Sequence, residues 1–206
     1  MVRLLVVLLA VVALIGLAPA APVPKHLLPK DGPLYHPVQK GTRWVYLDNG
    51  AEYHYELTAA DPTASGTTVV TISQMKNGEP TPYRKVEVSE RGLLWTETVG
   101  IAFDTPACLL RCPVQPGDAW AYSLSRPNTA LARAKGTMKV PGTETVEVPA
   151  GKFAAVRVDE KRAVLAPGLP DTNLELTSWY APNVGQVKWV CGKRERVLKS
   201  FTPAKD

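Results

Sequence analysis

The chain has 206 residues, of which 45% are hydrophobic, 21% charged and 7% aromatic, with 19 prolines, three cysteines and a formal charge of +5. That composition excludes a coiled coil, collagen, a polytopic membrane protein and a wholly disordered chain. The length suits one domain, or two small ones, able to bury a core without disulfide or metal staples.

The first predicted element is a leader. Arg3 precedes an uncharged apolar run from Leu4 to Leu17, closed by Leu17-Ala18-Pro19-Ala20 with small residues at the two positions a signal peptidase requires. The run is shorter than the roughly 20 residues of a membrane span. Residues 1–20 therefore read as a cleaved secretory signal rather than an uncleaved anchor, the protein as exported to the periplasm or beyond the cell, and no transmembrane segment is expected after cleavage. No cysteine sits at the cleavage site, which argues against a lipid anchor. Cleavage removes Arg3 and lowers the formal charge from +5 to +4, too small a surplus for a nucleic-acid footprint.

Residues 21–36 contain Pro22, Pro24, Pro29 and Pro33 with no apolar periodicity, as expected of an extended tether. A single β domain is expected from 37 to 206. Within it the apolar period is two, as in Glu52-Tyr53-His54-Tyr55-Glu56-Leu57 and Lys85-Val86-Glu87-Val88-Ser89. Asp48-Asn49-Gly50, Lys76-Asn77-Gly78, Arg91-Gly92 and Ala150-Gly151 supply reversals between the runs. About ten strands follow, near 42–48, 51–59, 67–75, 83–89, 93–99, 118–125, 143–148, 152–164, 172–180 and 185–190, with an eleventh at 194–201. Asn128 to Lys135 reads as one turn of helix or a loop.

Pro37-Val38-Gln39-Lys40-Gly41-Thr42-Arg43-Trp44-Val45-Tyr46 repeats as Pro113-Val114-Gln115-Pro116-Gly117-Asp118-Ala119-Trp120-Ala121-Tyr122. Each copy precedes a strand and sets a Trp and a Tyr on one of its faces, so the domain divides into two related halves starting at 37 and 113. The pairs Trp44, Tyr46 and Trp120, Tyr122 are either core aromatics or a ligand-stacking surface. Asp48 shares the face of Trp44 and Tyr46, so that face is not obviously dry. Trp179 and Trp189 are further ligand-contact candidates.

In an oxidising compartment the cysteines are first read as disulfide candidates. Cys108 and Cys112 lie in a loop-like stretch between Pro106 and Pro113, and either could instead reach Cys191, with one thiol always left over. No metal site is expected, because His26, His36 and His54 lie upstream and unclustered. Lys193-Arg194-Glu195-Arg196 with Lys199 reads as a solvated strand face.

Gly117, Trp120 and Tyr122, then Val148-Pro149-Ala150-Gly151-Lys152-Phe153, then Trp179-Tyr180-Ala181-Pro182-Asn183-Val184-Gly185-Gln186-Val187-Lys188 resemble an exported bacterial family, the domain of unknown function 3108-like proteins. The resemblance covers residues 113–190. It implies an all-β fold in which one antiparallel, strongly curved sheet forms an incomplete barrel, similar to periplasmic lipoprotein carriers, with an apolar cavity on its concave side. It implies no reaction and no cofactor.

No nucleophile elbow, zinc-protease, phosphate-loop or dinucleotide motif is present, and Asp159-Glu160 reads as strand-edge solvation. The protein is therefore expected not to be an enzyme. Its foremost expected role is binding a lipid-like or amphipathic molecule on the concave face. A structural or interaction module of the envelope with a filled interior is the alternative, and carbohydrate binding through exposed aromatics is the third.

Overall fold

A computed structural model describes residues 32–125, 133–165, 168 and 170–205. The predicted signal and the predicted tether as far as residue 31 lie outside these residues. The strands are β1 (Arg43–Asp48), β2 (Ala51–Pro62), β3 (Thr68–Lys76), β4 (Glu79–Ser89), β5 (Gly92–Thr98), β6 (Ile101–Arg111), β7 (Ala119–Leu124), β8 (Arg133–Val148), β9 (Gly151–Leu165), β10 (Thr172–Ala181), β11 (Gly185–Cys191) and β12 (Arg194–Thr202). No described residue lies in a helix.

All twelve strands form one antiparallel sheet in the order β6-β5-β4-β3-β2-β1-β12-β11-β10-β9-β8-β7. It comprises two six-stranded meanders, β1 to β6 and β7 to β12, joined where β1 pairs with β12. The sheet curls into a nearly closed barrel, and the edge strands β6 and β7 approach one another. The Asp104 N–H donates to the Ser125 carbonyl at 3.1 Å across that seam, and the Trp120 indole N–H donates to the Cys108 carbonyl at 2.9 Å.

Alternation explains the strands locally. Ala119–Leu124 is exposed and buried by turns, residue by residue. Asn49 and Asn77, each before a glycine, adopt φ of 49° and 52°, the backbone that tight hairpins with primed turns require. Inward residues such as Leu57, Val70, Leu93, Leu110, Val187 and Leu198 are fully buried.

The two copies of the repeated motif adopt the same local structure. Gly41 and Gly117 have φ of 92° and 96°, and their N–H groups donate to the Leu57 and Val140 carbonyls at 2.9 and 2.7 Å. The Leu57 and Val140 N–H groups donate back to Thr42 and Asp118 at 2.9 and 2.8 Å. Trp44 and Trp120 are both buried. Each half therefore opens by clamping its first strand to a neighbour through one motif.

The count of twelve exceeds the predicted ten or eleven because β6 occupies a stretch expected to be loop. Pro106 interrupts its pattern, but as an edge strand β6 tolerates a residue without an N–H. Strand β8 starts at Arg133, ten residues before the strand predicted at 143. Of the predicted helical turn or loop at Asn128 to Lys135, residues 128–132 lie outside the described residues and the rest belongs to β8.

Candidate functional site

The inner face of β1 carries Trp44 and Tyr46 and then, by alternation, Asp48, which is only 4% exposed. Strand β12 places Arg194 and Arg196 on the same inner side as buried Leu198. Asp48 accepts hydrogen bonds from Nε and Nη2 of Arg194, both at 2.8 Å, and from Nε and Nη2 of Arg196 at 2.9 and 2.7 Å. Hydrogen bonds from Arg194, joined by those from Arg196, hold the carboxyl below its ordinary value against the opposing effect of burial. Arg196 also donates through Nη1 to the Tyr83 hydroxyl at 3.0 Å.

A second pair lies on β9, where Val156, Val158, Glu160 and Arg162 share the inner face. Arg162 donates to the buried Glu160 through Nε at 2.6 Å and Nη2 at 3.0 Å. The Tyr122 hydroxyl donates to the same carboxylate.

Between these pairs sits Arg84. A bulge on β4 leaves Tyr83 as an extra residue, since Ile72 opposes Arg84 while Ser73 opposes Pro82. Tyr83 and Arg84, though adjacent, consequently both face the interior. The Arg84 guanidinium stacks 4.5 Å from the Trp95 ring centroid and 5.4 Å from that of Tyr83. Among the described residues it pairs with no carboxylate, and its Nε is buried without a hydrogen-bond partner. An unmet buried donor of this kind costs about 1–3 kcal/mol. Burial would raise the Tyr83 phenol, but the adjacent Arg84 and Arg196 guanidiniums outweigh it and leave it below its ordinary value. The two guanidiniums thus set a positive field locally, at Tyr83.

A cavity of about 140 Å³ lies at this cluster, lined by Arg84, Arg162, Arg194 and Arg196 together with Trp95 and Trp189. Beside it is a space of about 50 Å³ against His36, Trp44 and Tyr46. Another of about 180 Å³ is bounded by Phe103, Leu124 and Val164, and shares Trp95 and Arg162 with the arginine-lined cavity. On the outer face an open groove of about 620 Å³ crosses β7 to β10.

Leu34, Tyr35 and His36 pack against the barrel, with the Asn183 N–H donating to the Leu34 carbonyl at 2.7 Å. His36 lies 5.3 Å from the Trp44 ring, and a Cβ on Gly185 would meet it at 3.3 Å. Burial pushes its imidazole down to about 4 from 6.5. The unfolded chain then takes up a proton at higher pH than the fold does. The contribution of His36 is complete above about pH 6.5 and is lost as pH falls toward 4, up to about 3 kcal/mol. Asp48 acts in a separate window, below its ordinary value of 3.8. Urea unfolding at pH 7 and 4.5 checks this: His36→Asn is expected to flatten the fall, and equal slopes would refute the assignment.

Of the predicted ligand-contact residues, Trp44 and Tyr46 line the smallest space and Trp189 the arginine-lined cavity. Trp120 packs in the core and Tyr122 is bound to Glu160. Trp44 and Tyr46 donate to the Val184 and Gln186 carbonyls at 2.8 and 2.6 Å. Trp179 is apart from the rest, on the outer face. Its indole N–H donates to Glu144, and Arg157 and Lys188 lie 5.9 and 5.5 Å from its ring.

Cys108, Cys112 and Cys191 are free thiols, so none of the predicted pairings forms. Cys108 lies in β6, not a loop. Cys191 is at least four strands away along the sheet in either direction. The reading of residues 193–196 as a solvated strand face is corrected at Arg196, 18% exposed, and in part at Arg194, which reaches Asp48 while 52% exposed; Glu195 meets Lys188 outside. Glu160, read as strand-edge solvation, is 7% exposed. Parity was the available signal for these residues: Arg194, Arg196 and Leu198 alternate, as do Val156, Val158 and Glu160.

Residues 133–201, which span β8 to nearly the end of β12, match the DUF3108-like family model. This match and the resemblance read from sequence overlap over residues 133–190. Two crystal structures share the fold. One is a lipoprotein candidate from Parabacteroides distasonis, 16% identical with a TM-score of 0.58. The other is an exported-protein candidate with a YmcC-like fold from Bacteroides fragilis, 18% identical with a TM-score of 0.60. Both alignments cover 84% of this chain and 100% of the other. No curated protein matches the sequence.

Proposed function

We propose that this is an exported, non-enzymatic barrel that binds a small amphipathic molecule in its interior. The observation that carries the reading is the adjacency of a polar cavity and a more apolar one. The arginine-lined space and the space at Phe103, Leu124 and Val164 share Trp95 and Arg162 in their walls, which supports one molecule with a polar head in the first and a short apolar tail in the second. Each space is below the roughly 300 Å³ of a pocket for drug-sized ligands. This restricts the ligand to a small head and a short tail rather than a full lipid. No pair of groups in the cluster is poised as nucleophile and base, because each carboxylate is already engaged by arginine.

Native mass spectrometry of the protein purified from its exporting host tests the reading. A co-purifying small amphiphile is expected, and bare protein mass under gentle conditions would overturn it. A second reading, an envelope interaction module, draws on the open groove over β7 to β10. Short side chains at Ala121, Thr137 and Ala163 leave that groove flat enough for a partner surface.

A further inference from the structure

We propose that Arg84, flanked by Arg162 and Arg196, grips an oxyanion in the barrel interior, so that the amphipathic ligand carries an acidic head such as a carboxylate, phosphate or sulfate. The inference deepens the binding reading above and rests on it. It starts from charge. Four guanidinium groups line the arginine-rich cavity, while Asp48 and Glu160 are the only carboxylates bound to them among the described residues. Asp48 engages Arg194 and Arg196, Glu160 engages Arg162, and Arg84 has neither. The cluster carries a net of two positive charges; half-exposed Arg194 can be met by water, whereas Arg84 has a buried, unpartnered Nε, where an unpaired charge is disfavoured.

Stacking fixes the plane of the Arg84 guanidinium against Trp95 without using its N–H groups. A planar fork with free donors on the wall of a cavity matches the oxygens of a carboxylate or phosphate. The cavity of about 140 Å³ has room for such a head. The neighbouring apolar space begins at the same Trp95, where a short alkyl tail would leave the head. If Arg84 were present for stability alone, an acidic partner within the chain would be expected, and none is bound to it.

Calorimetric titration of the exported chain tests the proposal, using octanoate, the neutral amphiphile octanol, and the tail-less anions acetate and inorganic phosphate. Octanoate is expected to bind, and Arg84→Met to weaken it at least tenfold while raising the thermal midpoint of the ligand-free protein, because an unpaired charge is removed. Arg84→Lys keeps the charge but loses the fork; a partial loss of octanoate affinity is expected, and this variant serves should the methionine variant fail to fold. Comparable binding of acetate or phosphate alone would support the oxyanion site and overturn the amphiphile reading. Octanol binding as well as octanoate, unchanged in Arg84→Met, would overturn the oxyanion assignment and leave the amphiphile reading standing. Binding of none of the four would overturn the oxyanion assignment.

Discussion

Replacing Asp48 with alanine is expected to destabilise the barrel by about 3–5 kcal/mol, the range for removing one partner of a buried ion pair. Its carboxylate is 3% exposed and is the shared acceptor of two arginines. The two would not suffer equally. Arg194 is 52% exposed and regains water, whereas Arg196 is 18% exposed and keeps only the Tyr83 hydroxyl. The greater part of the loss should therefore arise from Arg196. In the double variant Asp48→Ala, Arg196→Met the stranded charge is absent, and at least half of the lost stability is expected to return. Urea unfolding monitored by tryptophan fluorescence measures both. A single-variant loss below about 1 kcal/mol would show that the pair behaves as an exposed surface bridge.

The same residues show how much of the molecule was legible in the sequence. Period-two alternation and Asn-Gly reversals give the all-β class, the first five strands and the hairpins, because they are local. The repeated motif was legible too, and its two copies, which precede β1 and β7, have equivalent hydrogen bonding. The interior cluster was only half legible. Asp48 could be placed beside Trp44 and Tyr46 by parity, but its arginines are some 146 residues away in sequence, and nothing local says that β12 lies against β1. Arg84 was hidden for a different reason. The bulge at Tyr83 breaks parity on β4, so that two adjacent residues face inward, and an alternation count would send one of them to solvent. Strand β6 was concealed by Pro106, which an edge strand tolerates because it has an unpaired side.

Trp44→Ala and Trp120→Ala are each expected to cost about 3–5 kcal/mol, as large-to-small changes in a packed core do. The indoles are 3% and 5% exposed, and each N–H already donates to a backbone carbonyl, Val184 for Trp44 and Cys108 for Trp120. Rings enclosed in this way are held chiefly by the core, although Trp44 also borders the space of about 50 Å³. Each truncation also removes a donor from a backbone carbonyl, and at Trp120 that carbonyl belongs to β6, across the seam of the sheet. Trp120→Ala should therefore open the seam, seen as faster amide exchange in β6 and β7, while Trp44→Ala should leave it closed. Trp179→Ala is the control, because its ring lies on the outer face and loses an exposed hydrogen bond to Glu144, partial burial and cation contacts with Arg157 and Lys188, about 1–2 kcal/mol. If Trp44→Ala or Trp120→Ala unfolded at the wild-type urea midpoint yet lost octanoate binding, the repeated aromatics would be ligand contacts and not core. The expected order, large losses at the two equivalent tryptophans and a small one at Trp179, assigns the repeated motif to closing the barrel and leaves recognition to the arginine cluster beside it.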